Sequence, residues 1–333
     1  MIKARIDAVG SYIGENEVST RDLLANAHFD RFDKPFDLVE SALGISSVRQ
    51  VQGSIRPGDI AIKAAESALA KSEISNTEID AVFYCGMTSD YTEPSTAHKI
   101  ADELGINAPF CWDQADACHG LSTGLITANA LIRNGQIRNA LVCTGERASK
   151  GTDFITDQYN KDILTERDIN DTIGAFTVGD AGGAFIVSQS DNEEGIEFIN
   201  TECDSRQRKL CYVDWEDSSF AMKMGLICSR TIKLVSHMLP KTLNSLGWER
   251  NDIDFMLPHQ VGKRPFDIYL NSLFKLPSEK SIATYKDMGN LTSASIAVSW
   301  DLLESAGRLK KKDKMFIVST GSGIVASQMG ITL

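Results

Sequence analysis

The sequence lacks any apolar run of the roughly 18 or more residues that a transmembrane helix needs, so it predicts no membrane-spanning segment. The first eight residues alternate in polarity and lack the apolar core of a signal peptide. The seven cysteines are an odd number without a C-x-x-C pair, which argues against a disulfide scaffold. Together these absences predict a cytoplasmic protein with reduced thiols and no membrane partner.

Positive charge is in short supply. The 34 Lys and Arg residues are outnumbered by 45 Asp and Glu residues, which gives a net charge of −11 and a pI near 5.0. Phosphate backbones and anionic lipids do not attract an acidic body, so we expect neither nucleic acid nor a membrane surface as partner.

Motifs for a bound cofactor or metal are also missing. Gly321–Gly323 follows an apolar run with the spacing of a dinucleotide fingerprint, but only ten residues remain after Gly323, too few for a βαβ unit. Cys111, Cys118 and His119 lack the close ligand pairs of a zinc site. We therefore expect no cofactor and no metal.

A length of 333 residues suits two domains or one large layered body. Strand-like apolar runs alternate with helical patterns, and their order in the first half recurs in the second. The matched segments are 79–85 and 253–259, 116–125 and 289–297, and 140–145 and 315–321. This repetition predicts a duplicated, mostly parallel α/β architecture with reactive groups where the halves meet.

The polar segment 190–195 marks the predicted boundary, which divides the chain into halves 1–190 and 191–333. Residues 146–172 are polar without a clear period, so we expect a long irregular excursion over the active site.

Cys118 stands just before the small-residue apolar segment 121–132, which predicts a helix buried on every side. Gly120 and Gly124 would let other backbone approach that helix. Unpaired N–H groups and the positive end of the helix dipole favour a thiolate at such a position. Cys118 is therefore a candidate nucleophile, with a small buried hydrophobic residue as the alternative.

Two further polar residues follow the same logic. His259 comes directly after the buried run 255–257, at the carboxyl end of a predicted strand, and is either catalytic or a satisfied structural histidine. Asn290 precedes a small-residue helix, so its amide either caps that helix or donates to a substrate oxygen.

Four motifs stand in the order typical of β-ketoacyl-ACP synthase III-like enzymes, and the chain resembles that family over essentially its whole length. The motifs are 116–120, 179–184, 258–260 and 289–295. The resemblance implies the thiolase fold, a five-layered αβαβα body of two similar halves, a homodimer and a Cys118-His259-Asn290 site.

The resemblance also implies the roles of these residues. Cys118 would attack an acyl thioester, delivered on CoA or an acyl carrier protein, and hold the acyl group. His259 and Asn290 would donate hydrogen bonds to the carbonyl of a malonyl-type extender and stabilise the enolate formed when CO₂ leaves. The backbone N–H groups of Cys118 and Ser322 would form the oxyanion hole.

Departures from the family pattern point to an unusual substrate. His119 follows the nucleophile where the family usually has a small residue, and would shape the acyl pocket or perturb the thiolate. Glu93 stands where an aromatic side chain often gates the acyl pocket across the dimer, which suits a polar acyl chain. Leu38 and Ala42 replace the tryptophan and arginine that bind CoA, which disfavours CoA as the natural donor.

Basic residues follow the predicted catalytic histidine. Lys263 and Arg264 lie four and five residues after His259, and Lys275 lies eleven after Arg264, which on a helix returns to nearly the same face. Such a stripe on an acidic protein suits an acidic acyl carrier. The alternative is a solvated helix face.

The leading hypothesis is a condensing enzyme in a specialised polyketide or secondary-metabolite pathway. A thiolase-fold acyltransferase acting on an alcohol or amine is the first alternative, and a non-catalytic subunit of a heterodimeric ketosynthase is the second. Asn290, in place of an acidic residue, favours condensation over transfer, and the intact Cys118, His259 and Asn290 set argues against a non-catalytic subunit.

Overall fold

The structure is a computed structural model, and it describes residues 2–190, 194–214, 216 and 219–333. The strands are β1 Lys3–Ile13, β2 Asn16–Ser19, β3 Ser47–Gln50, β4 Ala81–Tyr84, β5 Phe110–Asp113, β6 Asn139–Glu146, β7 Ala181–Ser190, β8 Gly195–Cys203, β9 Cys211–Asp214, β10 Ser219–Met222, β11 Phe255–Pro258, β12 Lys314–Gly321 and β13 Val325–Thr332. The helices are α1 Thr20–Asn26, α2 Leu38–Leu43, α3 Pro57–Leu69, α4 Thr96–Glu103, α5 Gly120–Arg133, α6 Ser149–Asn160, α7 Ile169–Thr172, α8 Met224–Leu246, α9 Lys263–Asp267, α10 Tyr285–Met288 and α11 Ser295–Ser305.

Two main sheets repeat one topology. The first has the strand order β1-β7-β6-β4-β5, and the second has the order β8-β13-β12-β11. In both, the first two pairings are antiparallel and the next is parallel, and β5 adds one further parallel strand to the first sheet. The predicted duplication is therefore confirmed.

The expected mostly parallel arrangement is wrong, because both sheets are mixed. Strand β13 follows β12 after residues 322–324 alone, and so short a connection can only make a hairpin, since a parallel pair needs a crossover of a dozen or more residues. In the first half β7 also runs antiparallel to β6, but there residues 147–180, which include α6 and α7, form the connection.

Helices and sheets stack in five layers, as expected. Helix α3 packs on the outer face of the first sheet, and α8 packs on β8 and β13 at the outer face of the second. Helices α5 and α11 lie in the middle layer, where α5 packs on β6 and α11 packs on both β7 and β11. Buried side chains from both sheets and both helices share one central core, including Phe83, Leu125, Trp300, Ile317 and Met329.

The two middle helices differ in burial. In α11 every residue from Ser295 to Asp301 is buried, whereas α5 leaves a stripe at 123, 126, 127 and 130 that is partly or fully exposed. The prediction that the helix after Cys118 is buried on every side is therefore wrong for the isolated chain. Its close approach to β4 is confirmed: a Cβ on Gly120 would lie 2.2 Å from the carbonyl oxygen of Cys85.

The segment 146–172, predicted as irregular, contains α6 and α7. The buried residues of α6 include Ser149 and Thr152, and the Thr152 hydroxyl donates to the carbonyl of Ala175 over 2.6 Å. Polar side chains on the inward face hide the apolar period from which sequence reasoning recognises a helix.

The predicted boundary segment includes residues 191–193, which lie outside the described residues, and the division of the chain at 190 stays a prediction. Among the described residues, none of the helices has the length and apolar character to cross a bilayer.

Candidate active site

Cys118 lies in the 3₁₀ turn Ala117–His119, directly before α5. Its side chain is partly accessible, but burial by the surrounding protein raises the pKa of the thiol far above its usual value, and Cys211 and Glu146 act in the same direction when they are ionised. A helix end contributes at most about 2 kcal/mol in favour of an anion, less than this desolvation costs. The predicted resting thiolate is therefore wrong, and the group is a thiol at neutral pH.

His259 follows β11 and extends its ladder, because its backbone N–H donates to the carbonyl of Val318 over 2.8 Å. The imidazole is 4% exposed, and its Nδ1 lies 3.2 Å from the Ser295 hydroxyl. Burial, aided by His119, lowers the pKa of His259 to about 4. The ring is therefore neutral at physiological pH and can donate one N–H without carrying charge.

Asn290 is held by its backbone and by its side-chain oxygen. Its N–H donates to the Thr177 carbonyl over 2.7 Å, and its carbonyl accepts from the Gly179 N–H over 3.0 Å. The side-chain Oδ1 accepts from the N–H of Thr292 over 2.9 Å, which fixes the amide so that the Nδ2 group is the free donor. The side-chain oxygen of Asn290 therefore caps the turn that leads into α11, and donation by its amide N–H groups to a substrate oxygen stays a prediction.

Contacts between turns bring these residues together where the halves meet. The 3₁₀ turn Thr292–Ala294 packs on the Cys118 turn, and β12 packs on the same turn. A Cβ on Gly321 would lie 2.9 Å from the Cβ of His119, so the 321–323 loop also adjoins the nucleophile. The Cys118 turn, the turn after Asn290 and the 321–323 loop are therefore neighbours, and His259 contacts Ser295, which directly follows the second of these turns. The joint action of Cys118, His259 and Asn290 in one site stays a prediction.

Ser322, predicted for the oxyanion hole, is partly exposed and hydrogen-bonds the thiol of Cys211 in β9. Burial raises the pKa of Cys211, and this hydrogen bond opposes the increase. Among neighbouring groups, Cys211 has the largest electrostatic effect on Cys118. Sequence reasoning missed Cys211, because strand β9 is short and exposed and carries no motif.

His119 is buried, with 1% of its surface exposed. Its Nδ1 lies 2.8 Å from the Asp116 carboxylate, and its Nε2 lies 2.7 Å from the Ser327 hydroxyl. Both ring nitrogens are therefore occupied, and the imidazole ties the nucleophile turn to β13. A role in shaping the acyl pocket stays a prediction.

Glu146, the last residue of β6, is a buried carboxyl that sequence reasoning also missed. It is fully buried, and burial raises its pKa to about 7 against the opposing hydrogen bonds of Ser293, Met87 and Thr144. Among the residues that the structure describes, no lysine or arginine forms an ion pair with it. The sequence contains one feature that could have indicated Glu146: it is an acidic residue at the end of an otherwise apolar strand.

Glu93 is exposed in the loop between β4 and α4. The structure does not bring it to the chain's own nucleophile, and its proposed place in a neighbouring subunit's pocket stays a prediction.

Lys263 and Arg264 line a groove of about 560 Å³ together with Glu40 and Ala42. Lys263 forms an ion pair of 2.5 Å with Asp267.

The geometry behind the predicted stripe is different, because α9 ends at Asp267 and the next seven residues form a π-helix. Lys275 follows this segment with φ +55°, so eleven residues of regular α-helix do not separate it from Arg264, and it is not among the groove-lining residues. The spacing of apolar residues in the sequence does not distinguish this π-helix from an α-helix, so the sequence could not predict it.

No cluster of three or more His, Cys, Asp or Glu side chains suited to a metal ion occurs within the described part of the chain.

Two halves that repeat one sheet topology and pack through α5 and α11 define the thiolase fold. The family model for 3-oxoacyl-[acyl-carrier-protein] synthase III matches residues 112–207, and the model for its C-terminal part matches residues 243–332, together more than half of the chain. The chain belongs to the β-ketoacyl-ACP synthase III-like family of the thiolase superfamily.

Curated relatives align over nearly the full length. The β-ketoacyl-[acyl-carrier-protein] synthase III of Alkalilimnicola ehrlichii is 27% identical and covers 97% of both chains. Synthase III 1 of Halalkalibacterium halodurans is 26% identical and covers 99% of both. The coarse function follows: the protein is a ketosynthase III-like condensing enzyme that transfers acyl groups.

Solved structures share the fold. Xanthomonas campestris OleA with bound lauric acid and lauroyl-CoA superposes with a TM-score of 0.92 at 23% identity over 99% of each chain. Cerulenin-bound OleA gives the same TM-score and identity, over 100% of this chain and 98% of the other.

Proposed function

We propose that this enzyme carries an acyl group on Cys118 and joins it to a malonyl-type extender by decarboxylative Claisen condensation, in a specialised polyketide or secondary-metabolite pathway. The observation that carries the proposal is a pair of buried neutral donors, of which His259 contacts Ser295, five residues beyond Asn290. His259 is uncharged because burial lowers its pKa to about 4, and Asn290 presents its amide N–H groups.

In the first half-reaction, the sulfur of Cys118 attacks the donor thioester carbonyl. A new thioester forms on Cys118, and the donor's own thiol leaves. Because burial disfavours a free Cys118 thiolate, its proton leaves only as the sulfur–carbon bond forms and goes to the departing thiolate. The N–H groups of Cys118 and Ser322 receive the charge on the acyl oxygen.

In the second half-reaction, the extender loses CO₂ and the electron pair forms an enolate. The enolate oxygen accepts hydrogen bonds from His259 and Asn290, in a dry pocket where such bonds are strong. The enolate carbon attacks the acyl carbonyl, the bond to Cys118 breaks, and the departing sulfur takes a proton from water. Neutral donors suit this step, because a protonated imidazole would stabilise the ionised extender before CO₂ leaves.

The groove at the start of α9 supports an acyl carrier protein as the source of at least one substrate. Lys263 and Arg264 line this groove, and Ala42 places no cation there for a CoA phosphate. Leu38 packs against the hydrophobic core. The synthase III relatives are named for an acyl carrier protein, whereas OleA was solved with lauroyl-CoA, so a CoA donor remains the alternative.

A homodimer is the proposed assembly. The loop that carries Glu93 also exposes Met87 and Tyr91, which are 44% and 38% accessible, and apolar side chains of this size favour a partner. The partly exposed stripe of α5 and the edge strand β5 offer a further surface. Glu93 would then enter the acyl pocket of the second subunit.

Acyl transfer to an alcohol or amine is the second candidate, because Glu146 places a buried acid with a pKa of about 7 near Cys118. Incubation with acyl-CoAs and acyl carriers, followed by intact mass spectrometry, tests acylation. Addition of malonyl carrier or of alcohols and amines then separates the two reactions.

A new carbon–carbon bond with release of CO₂ supports condensation. Ester or amide products without CO₂ would support transfer. A chain that never gains an acyl group would support the non-catalytic subunit.

A further inference from the structure

The turn that follows Asn290 is strained. Thr292 has φ +49°, in the left-handed region that a β-branched side chain rarely adopts. Its N–H is the donor that fixes the side-chain oxygen of Asn290. Such a conformation persists only where its surroundings enforce it, so the orientation of Asn290 depends on whatever holds this turn.

Glu146 binds this turn directly. Its Oε1 accepts a short hydrogen bond from the Ser293 hydroxyl and a second, of 3.3 Å, from the hydroxyl of Thr144. The Ser293 and Thr144 hydroxyls are themselves 2.6 Å apart. The carboxyl at the end of β6, in the first half, therefore binds the residue directly after Thr292, in the second half.

The same carboxyl reaches a third element. The backbone N–H of Met87 lies 3.1 Å from Oε1 and 3.3 Å from Oε2. Glu146 thus joins the end of β6, the loop after β4 and the Asn290 turn, and it does so while fully buried. A fully buried carboxyl without a cationic partner costs stability, and a residue that serves packing alone would be better replaced by an apolar one.

We propose that Glu146 is a positioning residue for the condensation step: it holds the strained Thr292 turn through Ser293 and thereby aims the Asn290 amide at the substrate carbonyl. This inference rests on the proposed function, because Asn290 acts there on the extender. It assigns Glu146 no contact with substrate.

The test separates the two half-reactions. Glu146→Ala removes the acceptor, and we expect the condensation rate to fall about tenfold to a hundredfold while the rate of Cys118 acylation changes by less than about twofold. Glu146→Gln keeps an oxygen for the Ser293 hydroxyl, so it should restore condensation to near the wild-type rate.

A matched control is Asp301→Ala. Asp301 is another largely buried carboxylate, in α11, and it binds Lys71 and the hydroxyl of Ser11 away from the turn. We expect it to lower stability without separating the half-reactions. Equal losses of acylation and condensation in Glu146→Ala would overturn the proposal, since they would mean general destabilisation.

A double-variant cycle and a structure complete the test. Once Asn290 is already alanine, Glu146→Ala should slow condensation no further, because both changes remove one function. Crystal structures report independently of the reaction catalysed: in Glu146→Ala we expect Thr292 to leave φ +49° and its 2.9 Å bond to Asn290 to break.

An intact turn in that crystal structure would overturn the inference. A displaced turn, in an enzyme whose wild type never condenses, would instead show that the anchor is real and that the proposed function fails.

Discussion

Replacing Glu146 by glutamine should change how the stability of the protein depends on pH. Burial raises the pKa of this carboxyl from 4.5 to about 7. Between those two values the folded chain holds a proton that the unfolded chain has lost, so the free energy of unfolding of the wild type falls as pH rises. Glu146→Gln does not titrate, and the variant therefore gains stability relative to the wild type over the same interval.

The structure sets the size of the effect. The interval from 4.5 to about 7, at about 1.4 kcal/mol per pH unit, gives a loss of about 3 kcal/mol that is complete somewhat above pH 7. The side chain is fully buried, so solvent does not screen this figure. Such a loss is a large part of the stability of an ordinary domain, which is about 5–15 kcal/mol.

Urea unfolding followed by tryptophan fluorescence, at one protein concentration, measures the difference between variant and wild type. We expect that difference to favour the variant by about 2 to 3 kcal/mol more at about pH 8 than at about pH 5. An equal difference at both pH values would refute the reasoning, since it would mean that Glu146 ionises as freely in the folded chain as in the unfolded one.

His259→Gln is the matched control with the opposite sign. Burial lowers the pKa of His259 from 6.5 to about 4, so between these values the unfolded chain holds the proton and the folded chain does not. The free energy of unfolding of the wild type therefore decreases as the pH falls through this interval. His259→Gln lacks this titration, so its stability relative to the wild type should increase as the pH falls. Parallel pH trends in the two variants would contradict both assignments.

Three further predictions concern the reaction. Cys118→Ala should abolish the mass increment from acyl donors, because it removes the nucleophile; persistent labelling would point to another cysteine, Cys111 first. Asn290→Ala should slow condensation about a hundredfold in a carbon–carbon bond assay while acylation proceeds, because one donor to the enolate is lost; an unchanged condensation rate would favour acyl transfer. Exchanging Lys263 and Arg264, the two cations that line the groove, for glutamate should raise KM for carrier-bound substrate and flatten its salt dependence, with small thioester mimics unaffected; equal loss on both substrates would contradict carrier docking.

Local patterns determined much of this protein. Apolar runs of strand length predicted β4, β6, β11 and β12, because a strand buried on both faces must be apolar throughout. Their repeated order predicted the two halves. The motifs around Cys118, His259 and Asn290 predicted the family, since each combines an unusual residue with a fixed local conformation that neighbouring sequence encodes.

Tertiary structure decided the properties that depend on distant neighbours. The thiol of Cys118 sits at a helix start, as predicted, but desolvation by elements far away in the chain outweighs the helix end and keeps it protonated. The α-helical register assumed between Arg264 and Lys275 is lost to a π-helix that no apolar period marks. The antiparallel direction of β7 and β13 was likewise decided by how each strand pairs within its sheet.

Glu146 shows the difference most clearly. In the sequence it is one acidic residue after an apolar strand, 147 positions before Ser293. Only folding of the two halves against each other removes its water, brings Ser293 and Met87 to its oxygens and raises its pKa to about 7. A sequence fixes which groups a chain carries and which local conformations it prefers, whereas the free energy of a charge depends on everything packed around it.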